Sequence, residues 1–353
     1  MLHNESWLIK GIPNMQAFYI TQPGKSEIGE LQQPRPAAGE ILLQTRLIGL
    51  CGTDLSTFRG KNPLVSYPRI PGHEIAATII EVGSGVPPGF KVGTDVTVHP
   101  TNNCGICAAC RRGRVNACKF NETLGVQRDG ALTGYFTAPW QKVYRSEGLS
   151  LRALTLVEPL AVGFHAAERG RVAQDDTVAV IGCGMIGLGV IAGAHSKGAI
   201  VIAIDLEDAK LELARQAGAR YTINSRTGGT HERLQELTSG RGPDVIVEAV
   251  GVPETYTMAV EEVAHTGRVV YIGWTKQPVS YETKSFVHKE LDILGSRNSL
   301  HEFPTVIDML SKGNFPVDAT ISMTVPFDGA GNALERWSQT PEAFTKILVE
   351  VNP

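Results

Sequence analysis

The chain reads as an α/β protein in two parts, an all-β, barrel-like unit followed by a doubly wound parallel sheet. Three observations carry that reading. Between residues 16 and 156 the apolar residues fall in short runs broken by Gly and Pro, the spacing of a barrel rather than of helices. From about residue 160, apolar strands alternate with helix-length stretches, which implies βαβ units and a parallel sheet. At 353 residues the chain is long enough for two cores.

Met15 opens the first strand, and the polar residues 1–14 before it read as a leader extension that lacks the small residues of a secretory signal. Strands follow at Glu40–Ile48, Ala76–Val82, Asp95–His99 and Tyr135–Pro139. A helix is predicted over Leu160–Gly170. Beyond it, strands at Thr177–Ile181, Ile200–Asp205, Tyr221–Ile223, Asp244–Glu248, Arg268–Ile272 and Asp292–Leu294 alternate with helices such as Ile186–Lys197 and Glu207–Ala217, the latter stopped by Gly218. After about Gly295 the elements become short and irregular again. The first domain should therefore be discontinuous, residues 15–160 with 299–353, and the doubly wound sheet should take 161–298.

Composition narrows the function. A formal charge of −3 gives no reason to expect nucleic acid or an anionic membrane as partner. Thr177–Ala194 is uncharged, but its glycines suit a strand, turn and helix better than a membrane span.

Cysteine spacing is the sharpest signal. Cys104, Cys107, Cys110 and Cys118 form C-x2-C-x2-C-x7-C within the loop-like stretch His99–Leu124. Four thiolates so spaced can close a tetrahedral cage around one zinc ion with no position left for substrate, a structural staple. The rival reading is a pair of disulfides. The other two cysteines, Cys51 and Cys183, fall in motifs of their own, so the usage is that of a reducing, intracellular, cytoplasmic setting.

Gly182, Gly184 and Gly187 form G-x-G-x-x-G after the apolar strand and open the next helix through Met185 and Ile186. The first glycine permits the turn, the second lets a pyrophosphate approach the backbone, and the third packs helix on strand. The helix N-terminus offers free N–H groups to phosphates. Asp205, at the end of the second strand of this sheet, would accept hydrogen bonds from an adenosine ribose. The next residues, Leu206 and Glu207, provide no arginine for a 2′-phosphate, so NAD is favoured over NADP.

A second metal site is foreshadowed by Cys51, in Gly49-Leu-Cys-Gly-Thr-Asp54, and by His73, in Pro71-Gly-His-Glu74. Thiolate and imidazole are natural zinc ligands. Glu158, an acid in the apolar run before Pro159, is a candidate third ligand that would leave an open position for a substrate oxygen.

Taken together and in this order, Cys51-Gly-Thr-Asp, Gly72-His-Glu, the four-cysteine lobe, Glu158-Pro and the glycine turn resemble the zinc-dependent medium-chain dehydrogenases, over nearly the whole chain from Met15. The likeness is to the sorbitol, threonine and sugar-acid branch, with Ser66-Tyr-Pro-Arg and Gly295-Ser-Arg-Asn similar to dehydrogenases of hexonates such as L-galactonate. The resemblance implies a GroES-like barrel plus a Rossmann domain, two zinc ions per chain, NAD, and a homodimer or homotetramer. It also implies that Glu74 and Glu158 exchange in the zinc sphere or that Glu74 stands behind it. Lys210 and Arg297 join the cofactor candidates. The chain departs from the family where threonine dehydrogenases carry a histidine, here Ser56, and where Gly130-Ala-Leu-Thr-Gly-Tyr lacks the usual glutamate.

The reaction expected is reversible oxidation of a secondary hydroxyl to a ketone. Zinc would polarise the oxygen, Thr53 would carry its proton outward, and NAD would take the hydride. Ser56, Arg59, Tyr67, Arg128 and Arg297 are candidates for reading substrate, and arginines suit a carboxylate. Rival readings are a neutral polyol or diol dehydrogenase, a zinc-stapled NAD-fold regulatory protein, and a zinc-free quinone-reductase-like enzyme. The last two would not need Cys51, Thr53, His73 and Glu158 together.

Overall fold

The structure, a computed structural model, describes residues 13–352, so the leader reading lies almost wholly outside it. Two compact units are present. The first comprises the described residues up to Asn103, Phe120–Leu156 and the stretch from Ile321 onward; the second comprises Cys104–Lys119 and Val157–Thr320.

The first unit is built on a seven-stranded sheet. Its path runs through Ile321–Pro326, Lys346–Glu350, Glu40–Leu50, Glu74–Val82, Asp95–Val98 and Val143–Arg145, and Tyr135–Pro139 pairs with Glu40–Leu50. The strand Glu40–Leu50 is almost continuously buried because it has partners along both edges. Its side chains Ile41, Leu43, Ile48 and Leu50 pack with Phe18, Ile75, Ile79, Leu132 and Leu334 in the core. The hairpin Asn14–Gln22 and Lys25–Gln32 joins this unit, with Phe18 donating its N–H to Leu132.

The second unit carries a six-stranded parallel sheet in the order Tyr221–Asn224, Ile200–Asp205, Thr177–Ile181, Val245–Glu248, Arg268–Tyr271, Asp292–Gly295. The strand that comes first in sequence, Thr177–Ile181, lies in the middle. This is the doubly wound order 3-2-1-4-5-6, whose reversal point forms a crevice at the carboxyl ends of the strands. The central strands are unbroken apolar runs because helices cover both faces of such a sheet: Val178, Ala179, Val180, Val201, Ile202, Val245 and Ile246 are all fully buried. Among the described residues no helix is long and apolar enough to cross a membrane.

The structure differs from the sequence reading in three places. The helix expected from Leu160 runs over Leu151–Arg169 with Pro159 inside it. Ser150 starts it, its Oγ accepting the Ala153 N–H at 3.2 Å, and burial of Leu154, Leu156, Val157 and Leu160 sustains it through the missing proline donor. The cysteine lobe falls with the second unit, because Asn116 donates through Nδ2 to the Arg297 carbonyl (2.7 Å) and to His165 Nε2 (2.9 Å). His165 Nδ1 in turn bonds Glu302 (2.7 Å), which helps fix residues 299–320 there as well. Finally, the tail contains two substantial helices, Phe303–Ser311 and Ala330–Gln339.

Candidate active site and metal centres

Cys51 follows directly on the strand Glu40–Leu50 and caps the short helix Gly52–Phe58. The cap is fixed by Asp54, whose Oδ2 accepts the Cys51 N–H at 2.9 Å. Asp54 is fully buried, and its other oxygen lies 3.8 Å from His73 Nδ1. That is too long for a hydrogen bond, but it places a carboxylate beside the imidazole, the arrangement that orients metal-binding histidines.

His73 is presented by a tight turn. Gly72 has φ +102°, and a Cβ there would stand 2.9 Å from the Leu132 N atom. The segment Gly130–Leu132 is hydrogen-bonded onto the same turn, through Gly130 N to Ile70 O, Ala131 N to Gly72 O and Leu132 N to Pro71 O at 2.7–3.0 Å.

Glu74 is almost completely buried, and its Oε2 accepts a short hydrogen bond from Lys346 Nζ, which also donates to the Leu50 carbonyl at 3.1 Å. Lys346 is equally buried. The strand pairing sets Gly49 opposite Glu74, and a methyl at position 49 would lie 2.2 Å from Glu74 Oε2. Only glycine leaves room for the carboxylate.

The donor atoms of Cys51, His73 and Glu74 all lie within 4.8 Å of one another. A thiol, an imidazole and a carboxylate so close together, in a buried setting, fit zinc. Glu158 is carried by the helix Leu151–Arg169, in the second unit.

The four-cysteine lobe is preformed. Its Sγ atoms are separated by 3.5 Å (Cys104–Cys118 and Cys107–Cys110), 3.9 Å (Cys107–Cys118) and 4.0 Å (Cys104–Cys110). Sulfurs at about 2.3 Å from a tetrahedral zinc stand about 3.8 Å apart, whereas a disulfide requires about 2.05 Å. None of the four is joined in a disulfide. Backbone N–H groups of Cys110 and Lys119 aim at Cys107 and hold its thiol down to about 6, which favours the thiolate a metal needs.

The glycine turn also has the expected form. Gly182 adopts φ +94°, a Cβ at Gly187 would lie 1.8 Å from the Gly182 carbonyl oxygen, and the space beside Gly184 is open. That open space, at the N-terminus of the helix Met185–Ser196, fits a pyrophosphate. Asp205 bolts the turn to the neighbouring strand: its Oδ2 accepts the Cys183 N–H at 2.7 Å, and its Oδ1 accepts those of Leu206 and Glu207 at 2.8 and 3.1 Å. Lys210 is on the next helix, Asp208–Gln216. Burial keeps the Cys183 thiol protonated and inert.

Of the substrate candidates, Arg59 is committed to Ser338, donating to its Oγ and carbonyl at 2.9 and 2.5 Å. The Tyr67 hydroxyl donates to the Thr57 carbonyl at 2.5 Å. Arg128 differs. It lies two residues before the segment bonded onto the His73 turn, burial depresses its guanidinium pKa, and its buried Nε has no hydrogen-bond partner among the described residues.

Two residues of these sites carried no role in the sequence reading. Asp54 was visible in the Cys51 motif. Lys346 could have been noticed as a lysine at the head of the apolar run Ile347–Val349.

Residues 37–148 match the model of the alcohol dehydrogenase GroES-like domain, and residues 186–312 match that of the zinc-binding dehydrogenase. An uncharacterized zinc-type alcohol dehydrogenase-like protein of Haemophilus influenzae is 33% identical over 334 residues, 94% of this chain and 98% of the relative. The chain belongs to the zinc-type medium-chain alcohol dehydrogenases. The L-galactonate-5-dehydrogenase of Escherichia coli K12 is 30% identical over 91% of this dehydrogenase and 95% of its own length. The crystal structure of RspB from E. coli CFT073 complexed with NADH superposes with a TM-score of 0.88 at 31% identity, covering 96% of this chain and 99% of that one. The family implied by the motifs is therefore the family found, and this dehydrogenase is an oxidoreductase with the two-part fold expected.

Proposed function

We propose that this dehydrogenase oxidises a secondary hydroxyl of a sugar acid, a hexonate such as L-galactonate, with NAD. The observation that carries the reaction class is the cluster of Cys51, His73 and Glu74 beside Thr53 and Asp54. Cys51 and His73 would hold the catalytic zinc, with Glu74 or Glu158 as the third protein ligand, and the four cysteines would hold the structural zinc. Bound zinc would polarise the substrate hydroxyl, and NAD would accept the hydride from the same carbon. The chain's own residues do the rest. Thr53 receives the hydroxyl proton at Oγ1 and passes it to solvent. Asp54 keeps the His73 ring turned for ligation, and Lys346 balances the charge of Glu74. Gly182, Gly184 and Gly187, with Met185 and Ile186 at the helix start, cradle the pyrophosphate. Asp205 and Lys210 meet the ribose, and Arg297 meets the cofactor's far end.

The sugar-acid assignment rests on Arg128, a desolvated guanidinium with an unused donor two residues before the segment bonded onto the His73 turn. A relative named for a hexonate, the L-galactonate-5-dehydrogenase, agrees with it. The neutral-polyol reading has its own support. Arg59 and Tyr67 are tied to the protein, and a sorbitol dehydrogenase of Bacillus subtilis is 32% identical over 346 residues. A panel of hexonates, hexitols, pentitols, free sugars and L-threonine with NAD, followed at 340 nm, decides between them. A hexonate should be best, and Arg128→Ala should raise its KM at least about tenfold while leaving that of sorbitol within about twofold. Equal efficiency on sorbitol and the best hexonate, unchanged in the variant, would establish the polyol reading.

A symmetric homodimer or a dimer of dimers is part of the same proposal. The strand Asp292–Gly295 is the edge of the parallel sheet, and Ile293, Val287 and Trp274 are 42%, 85% and 71% exposed. An apolar sheet edge of this kind suits a second copy of the same chain. Six cysteines, none of them in a disulfide, suit a reducing cytoplasmic setting.

A further inference from the structure

We propose that the Glu207–Arg226 ion pair, more than Asp205, decides which dinucleotide this chain accepts: Glu207 occupies a guanidinium placed to receive a 2′-phosphate. The proposal rests on the dinucleotide reading above and adds the residues that set its specificity.

The parallel register makes the juxtaposition. Tyr221–Asn224 runs beside Ile200–Asp205 with Asn224 opposite Asp205. Arg226, two residues on, is thereby brought level with the end of that strand, although it is distant from Asp205 in sequence. Its backbone N–H is fixed by Asn224 Oδ1 at 3.0 Å. Its Nε donates to the Leu206 carbonyl at 3.2 Å, and its terminal nitrogen forms a short ion pair with Glu207. A guanidinium therefore overlies residues 206–207, directly after the carboxylate expected to meet the ribose. In dinucleotide folds an acid at this point favours the free 2′-hydroxyl, and a nearby arginine accommodates the 2′-phosphate. This chain has both, and the arginine is already neutralised.

The surrounding charges agree. Asp208 is engaged by the Asn224 side-chain amide at 2.7 Å, and Lys210 extends its field to Cys183. Arg226 is paired with Glu207, while Asp205 and Lys210 act with opposite signs on Cys183. A phosphate would have to displace Glu207 from Arg226 and then lie beside both acids.

Asp205 itself is a poor lever on specificity. Its oxygens accept three backbone N–H groups that shape the glycine turn, so its removal would weaken both cofactors. Glu207 and Arg226 are 34% and 61% exposed along their side chains, and separating so accessible a pair costs little stability. Once freed, Arg226 can form charge-assisted hydrogen bonds to a phosphate.

The test titrates the full chain, without substrate, with NADH and with NADPH, following nicotinamide fluorescence to obtain dissociation constants. The wild type should bind NADH more tightly. Glu207→Gln should tighten NADPH at least about tenfold while NADH changes by less than about threefold. Adding Arg226→Ala to Glu207→Gln should erase the gain. An unchanged NADPH constant in Glu207→Gln, or a gain that survives Arg226→Ala, would overturn the proposal. A wild type that bound neither nucleotide would instead bring down the dinucleotide reading, and this inference with it.

Discussion

Lys346 and Glu74 show how much of the site depends on residues far apart in the chain. Their side chains meet in the interior, with both residues almost fully buried. Removing one partner of such a pair leaves an uncompensated buried charge, at a cost of roughly 3–5 kcal/mol. Lys346→Met should therefore lower the melting temperature by several degrees, and adding Glu74→Gln should restore most of it, as a thermal melt of the three proteins would record. A Lys346→Met variant that melted like the wild type would mean that the pair carries no such cost. The candidate ligands were legible because Cys51, His73 and the four lobe cysteines announce themselves by type and spacing. Lys346 and Arg226 were not, because a lysine in a strand or an arginine in a turn is ordinary until register places it against a carboxylate.

At the scale of elements, apolar periodicity served well for the parallel sheet, whose strands are short buried runs between helices. It served less well at the helix Leu151–Arg169. Pro159 reads locally as a start signal, yet the buried face from Leu154 to Leu160 carries the helix through it. The lobe's short helix Ala108–Arg111 buries no residue. Backbone turns, the sulfurs and the Asn116 bonds to His165 and Arg297 hold the lobe. The two metal sites should therefore answer differently to mutation. Cys51→Ser should lose about one zinc and all activity with the melting temperature kept, because the motif sits on a firmly packed strand end. Cys107→Ser should also lose about one zinc, but with a lowered melting temperature, since structural zinc contributes directly to folding. Metal analysis alongside thermal melts checks both, and loss of activity alone in the two variants would mean that the division of roles is wrong.

For the molecule as a whole, the proposed homo-oligomer would use the sheet edge Asp292–Gly295. Val287 and Trp274, both strongly exposed, extend the apolar surface of the same unit. Light scattering at micromolar concentration should give twice or four times the 38.0 kDa chain mass, and Ile293→Lys should shift the population toward the monomer by placing like charges across a two-fold contact. A wild-type monomer at that concentration would count directly against the proposal. Fold class and unit order were readable from the change in hydrophobic period near residue 160. The allegiance of the cysteine lobe was not, because a few hydrogen bonds made by one asparagine determine it, and no periodicity encodes them.

Gly49 has a consequence for how this chain can change over time. It has no side chain to offer a ligand, yet a single methyl group there would collide with the Glu74 carboxylate. A site of this kind restricts drift at positions that never touch substrate. Its alphabet at residue 49 has one letter for as long as the acid stands across the sheet, and only a paired exchange at 49 and 74 opens another path. The tolerance map of the barrel is therefore written partly by the empty space its metal cluster needs.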